Sequence, residues 1–118
     1  MSRDYKDLVP RVIAALYPAI EERTRVQNIL ASYGKESFHQ ERDRVHLGIL
    51  KLASIEPKKL EGFAQLACRD FRDLLCAAEY PLSSRRLRHR ESDPEGYGKL
   101  EEMEKREYDQ WLSKVLSA

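Results

Sequence analysis

Residues 57–80 read PKKLEGFAQLACRDFRDLLCAAEY. Leu60, Phe63, Ala64, Ala67, Phe71, Leu74, Leu75 and Ala78 recur at the i, i+3, i+4, i+7 spacing that lines up one face of a helix. Lys58, Lys59, Glu61, Arg69, Asp70, Arg72, Asp73 and Glu79 occupy the other face. Pro57 suits a first helical position, where its missing N–H costs nothing, and Tyr80-Pro81 is a stop, because the residue before proline is pushed out of the α region. The segment therefore predicts one long amphipathic helix over 57–80. Such a helix is roughly 36 Å long, about the width of a small domain, so other elements must pack along it.

Working outward toward the N-terminus, residues 40–53 predict a third helix. Its apolar residues Val45, Leu47, Ile49, Leu50, Leu52 and Ala53 spread over more than one stripe, which implies contacts on two sides. Only Ser54-Ile55-Glu56 separates it from the long helix, so the two are expected to form an antiparallel hairpin at the centre of the fold. Before them, residues 19–33 predict a helix with Glu21 and Glu22 in its first turn and Gly34 as its C-terminal cap. Tyr5, Leu8, Val9, Val12, Ile13, Leu16 and Tyr17 form the first stripe. Pro10 interrupts it, which predicts a short turn and then a helix starting near Val9.

Past Pro81 the composition changes. Residues 82–98 hold SSRRLRHRESDPEGYG after Leu82, with Ser, Asp-Pro and Gly but no helical stripe, and predict a basic linker or irregular excursion. A last helix is expected over 99–116, with Leu100, Met103, Tyr108, Trp111, Leu112, Val115 and Leu116 on its apolar face and Glu101 to Lys105 as an i, i+4 pair. The expected architecture is thus an all-α, single-domain bundle of about five helices, with a core over 5–81, a linker and a C-terminal helix.

At 118 residues the chain is long enough to bury a core without metal or disulfide staples. A net charge of +1 provides no global field to draw nucleic acid or an anionic membrane. No apolar run reaches the ~18 residues of a membrane span, and the polar start MSRDYKD lacks a signal-peptide hydrophobic region, so residence in the cytoplasm is expected. Cys68 and Cys76 lie about 12 Å apart along the helix axis, too far to bridge. They read as two small buried thiols.

Candidate sites are few. Arg85, Arg86, Arg88, His89 and Arg90 put four guanidiniums in six residues, a pattern that suits phosphate. Against this, Glu91, Asp93 and Glu95 follow at once and no aromatic platform interleaves the arginines. A solvated segment, or one paired with acidic helix faces, is the plainer expectation. His39, Asp43 and His46 would share a face of the third helix, yet lack a further ligand and read as surface polar residues. Arg69, Asp70, Arg72 and Asp73 form a charged patch in which Arg69 and Asp73 make an i, i+4 ion pair or part of a recognition surface. No Ser-His, Cys-His or phosphate-loop pattern is supported by its neighbours.

The segments RDRVHLGILKLA (residues 42–53) and ACRDFRDLLCAAEYP (residues 67–81) resemble a family of small all-helical bacterial proteins of uncharacterised activity, whose second helix ends in RDxLxxAEYP. Arg72, Asp73, Leu75, Ala78, Glu79, Tyr80 and Pro81 match that ending. The turn Ala15-Leu16-Tyr17-Pro18, with Arg25-Val26 and Gly34, is similar to the opening of effector-associated adaptor domains, small helical modules that couple proteins through like-with-like contacts. The first likeness implies no particular activity; the second implies an adaptor.

The function expected from these features is a non-enzymatic protein–protein interaction or adaptor module, with Arg69, Asp70, Arg72, Asp73 and Trp111 as interaction residues and without cofactor, metal or membrane. The alternative is a nucleic-acid or phosphate binder acting through residues 85–90. The apolar face of the last helix must be covered, either by its own bundle or by a second copy in a homodimer centred on Trp111.

Overall fold

The computed structural model describes residues 5–117 and, within them, every side chain except that of Arg88. The first helix, α1 (Tyr5–Leu16), runs through Pro10 instead of starting near Val9. Pro10 removes the hydrogen bond that would reach the Lys6 carbonyl, but both residues face solvent, where water can serve that carbonyl. Val9, Val12 and Ile13 are buried on the opposite face and hold the helix together across the proline.

The second helix, α2 (Ile20–Leu30), ends earlier than expected. Tyr33 lies beyond its end and is buried, with its hydroxyl donating to the Gln40 carbonyl (2.5 Å) and accepting from the Gln40 N–H (3.1 Å). Gly34 serves this turn rather than capping the helix. Its φ is +107°, and a Cβ there would run into the Arg42 side chain, so both backbone and space require glycine.

The third helix, α3 (Arg42–Ile55), touches α1, α4 and α5. Val45, Leu47, Ile49, Leu50 and Ala53 have no solvent exposure, which fits the two-sided apolar pattern. Gly48 lets α3 and α5 approach closely: a Cβ there would sit 3.2 Å from both Ala78 Cβ and Leu74 Cδ1.

The long helix expected over 57–80 is three pieces. A 3-10 turn, Pro57–Lys59, leads into α4 (Leu60–Arg69), and α5 (Phe71–Glu79) follows a one-residue elbow at Asp70. Asp70 has φ −158° and ψ 89°, and its carboxylate accepts from the Asp73 N–H at 3.2 Å. A short acidic side chain that can satisfy a free N–H of a new helix competes with continuing the old one. The apolar stripe survives because Leu60, Ala64, Ala67, Leu74, Leu75 and Ala78 remain buried on both sides of the elbow.

Residues 82–98 are also more ordered than a linker. Ser83–His89 is a 3-10 segment, and the last helix, α6 (Pro94–Ser117), begins five residues before the expected start. Asp93 caps it by accepting from the Gly96 N–H at 3.1 Å, and Pro94 takes the first position. The ion pair on its first turns is Glu95–Lys99 (3.4 Å), not Glu101–Lys105. Tyr108 and Leu112 are buried against the chain's own core, and Trp111 Nε1 donates to Ser54 Oγ at 3.1 Å. Trp111, Val115 and Leu116 are partly buried against the same core, and Leu100 and Met103 are half-buried.

The described residues therefore form six α-helices and two 3-10 segments with no strand. No helix among them is long and apolar enough to cross a membrane.

Candidate functional site

The arginine-rich segment is held at its start by one buried carboxylate. Glu104 of α6, 2 % exposed, accepts from the Leu82 N–H (2.8 Å), the Ser83 N–H (2.9 Å) and the Ser83 hydroxyl (2.6 Å). The first N–H groups of a helical turn have no partner within it, and a carboxylate satisfies them with short, charge-assisted bonds. At the other end the Asp93 N–H donates to the His89 carbonyl at 2.8 Å, so the segment passes directly into the cap of α6. Both ends are thus tied to α6.

Between these ties Arg85, Arg86, His89 and Arg90 are exposed. Among the described residues no ion pair engages Arg85, Arg86 or Arg90, which fits the solvated of the two expected alternatives; the Arg88 side chain lies outside the described residues. Leu82 and Leu87, 43 % and 56 % exposed, add apolar surface to the same segment. A cleft of about 530 Å³ separates it from the first turns of α6, with Arg86 and His89 on one side and Tyr97, Leu100 and Met103 on the other. Asp93, Gly96 and Lys99 complete its lining.

The other charged patch is divided by the elbow. Arg69 ends α4, Asp70 and Asp73 are joined in the cap of α5, and no ion pair forms between Arg69 and Asp73 among the described residues. Arg72 is exposed, with its guanidinium 5.8 Å from the Phe71 ring centre. It borders a smaller cleft of about 350 Å³ beside the pair formed by Arg44 and Glu79. Arg44 Nε and a terminal guanidinium nitrogen bind the two Glu79 oxygens at 2.9 and 2.5 Å, and Arg44 also reaches Glu41 at 3.1 Å. The Glu79 hydrogen bonds hold the Arg44 guanidinium protonated well above its usual range.

The three residues considered as metal ligands do not converge. His39 precedes α3, stacks on Tyr33 with ring centres 4.4 Å apart, and accepts from the Gly34 N–H at 2.8 Å. Asp43 pairs with Arg42 at 3.4 Å. His46 is buried, not a surface residue, with Nε2 2.8 Å from the Tyr33 carbonyl; burial pushes its pKa down, partly offset by the carbonyls of Tyr33 and Leu30. Among the described residues no group of three or more His, Cys, Asp and Glu can hold a metal ion. Cys68 is exposed, contrary to the expectation of two buried thiols, and Cys76 is half-buried with a thiol pKa raised by burial.

Two further groups carry no signal in the sequence around them. Glu104 sits on a helix rich in exposed acids, and nothing local marks it as the buried one. Lys51 is half-buried and donates from Nζ to the Ala78 carbonyl at 2.6 Å; desolvation lowers its pKa against the pull of Glu107, Glu104 and Glu79.

Comparison of the chain with protein-family models, with curated proteins and with solved structures finds no match.

Proposed function

We propose that the chain is a non-enzymatic interaction module that binds an acidic protein partner through Arg85, Arg86, His89 and Arg90. One observation carries this: the guanidiniums of Arg85, Arg86 and Arg90 are exposed and in no ion pair among the described residues, on a backbone that Glu104 holds in place. A segment ordered in advance loses less conformational freedom on binding than a free loop. Leu82 and Leu87 supply apolar contact beside the charge. In this reading the protein is one helical domain whose frame is the antiparallel pairing of α3 with the α4–α5 segment, and it works as an adaptor, in line with the likeness of residues 15–34 to such modules. Arg72 and the exposed Asp73 carboxylate offer a second, separate point of contact, whereas the Asp70 carboxylate is committed to the cap of α5.

Capture of partners from cells by the full chain tests it. A partner retained by the wild type and lost on Arg85→Glu/Arg90→Glu supports the reading. The same partner retained by both rules it out.

The exposure of the same arginines favours one competing reading, a nucleic-acid binder. Steep, salt-dependent retention on a polyanion column, lost in the same variant, supports that alternative, because each phosphate contact releases counterions.

A further inference from the structure

We infer that the cleft between the arginine-rich segment and the first turns of α6 takes an acidic peptide anchored by an apolar side chain. This rests on the proposed role of the segment and names what it binds. The cleft measures about 530 Å³, within the range of roughly 300–1,000 Å³ that holds small ligands or bulky side chains. Tyr97, Leu100 and Met103 are half-buried and form an apolar floor, and a methionine adapts its shape to the group packed on it. Arg86 and His89 line it from the arginine-rich segment, and the exposed Lys99 lines it from α6.

The charges favour an anion despite the one acid in the lining. Asp93 directs an oxygen to the Gly96 N–H, where it caps α6. Lys99 meets Glu95 at 3.4 Å, but both side chains are at least three-quarters exposed, and a pair so open to water contributes little and exchanges readily for another carboxylate. Arg85 and Arg90 extend the positive surface along the same segment. The floor argues for a peptide over a nucleic acid. It presents one phenol ring beside aliphatic and thioether groups, and no run of aromatic faces on which successive bases stack. A peptide with carboxylates flanking an apolar anchor matches both halves of the cleft.

Fluorescence anisotropy on the full chain tests the inference, using a short labelled peptide of Asp and Glu that carries one Phe and one Leu. The expected result is saturable binding that weakens about tenfold or more when Phe and Leu are replaced by Ser, and again on Arg86→Glu/Lys99→Glu. Both substituted residues are exposed, and an unchanged circular dichroism spectrum confirms that the variant folds. Equal binding of the Ser-substituted peptide overturns the inference, since charge alone would then suffice. Loss of binding on Arg85→Glu/Arg90→Glu with no effect of Arg86→Glu/Lys99→Glu also overturns it, while leaving the segment as the binding surface. Tighter binding of an oligothymidylate that displaces the peptide overturns both in favour of nucleic acid. No binding of the peptide overturns the inference alone, because the capture experiment judges the wider role independently.

Discussion

Arg44 of α3 and Glu79 of α5, 35 residues apart in the chain, close on each other in a two-pronged ion pair at the edge of the core. Glu79 is nearly enclosed, with 11 % of its side chain exposed, while Arg44 keeps 34 %. The pair joins the two segments that carry the sequence resemblance, the arginine-rich start of one helix and the AEYP end of another. It also lies on the interface where Gly48 lets α3 and α5 come close, so charge and packing fix the same register.

Removing one partner should cost more than removing both. Arg44→Ala leaves a buried carboxylate without its cation and is expected to lower stability by on the order of 3 kcal/mol, whereas Arg44→Met/Glu79→Leu should fall within about 1 kcal/mol of wild type. Urea denaturation at neutral pH measures both. A double variant as unstable as the single one would contradict this assignment.

Glu104 should control the order of the arginine-rich segment. Glu104→Ala strands the Leu82 and Ser83 N–H groups and is expected to cost about 2–4 kcal/mol, with each orphaned donor contributing part. Trypsin should then cut after Arg85 and Arg86 far sooner than in the wild type, under conditions where circular dichroism still reports folded protein. Unchanged cleavage would show that the segment does not depend on this carboxylate.

His46 should make stability fall on mild acidification. Its folded pKa lies below the ordinary value of about 6.5, so as pH drops through that value the unfolded chain takes up the proton first. Unfolding is favoured progressively until the folded pKa is reached, and above about pH 6.5 there is no such penalty. The urea midpoint of the wild type should therefore decline between neutral and mildly acidic pH more than that of His46→Gln. Parallel curves for the two proteins would remove His46 as the cause.

Two glycines should respond to alanine with opposite signs. At Gly34 the backbone φ of +107° and the Arg42 side chain both resist a Cβ, and Gly34→Ala is expected to destabilise by about 1–3 kcal/mol. Gly62 lies within α4 with open space around it, and Gly62→Ala should stabilise by roughly 0.5–1 kcal/mol through helix propensity. Thermal melts of the two variants settle the contrast.

The apolar periodicity made the helical class and most of the core legible, because burial repeats every three to four residues whatever the caps do. Breaks were harder to see. Asp70 followed by Asp73, and Asp93-Pro94-Glu95, are both helix-start patterns, yet one lay inside an unbroken stripe and the other inside a run that resembled a loop. The chemistry of the site was legible as composition, since four arginines in six residues stand out without a structure. Its mounting was not. Glu104 lies more than twenty residues from Ser83, and the burial of His46 depends on a carbonyl in a turn that was expected to be helix.

The one-residue elbow at Asp70 also bears on how the chain folds. It divides the segment into helices of ten and nine residues, each shorter than the ~12–15 residues at which isolated helices begin to persist in water. Neither can nucleate by itself and wait for the rest. Both must gain their structure as they settle on α3, so the slowest step of folding should be a collision between distant parts of the chain, and residues 57–80 cut out as a peptide should remain mostly unfolded.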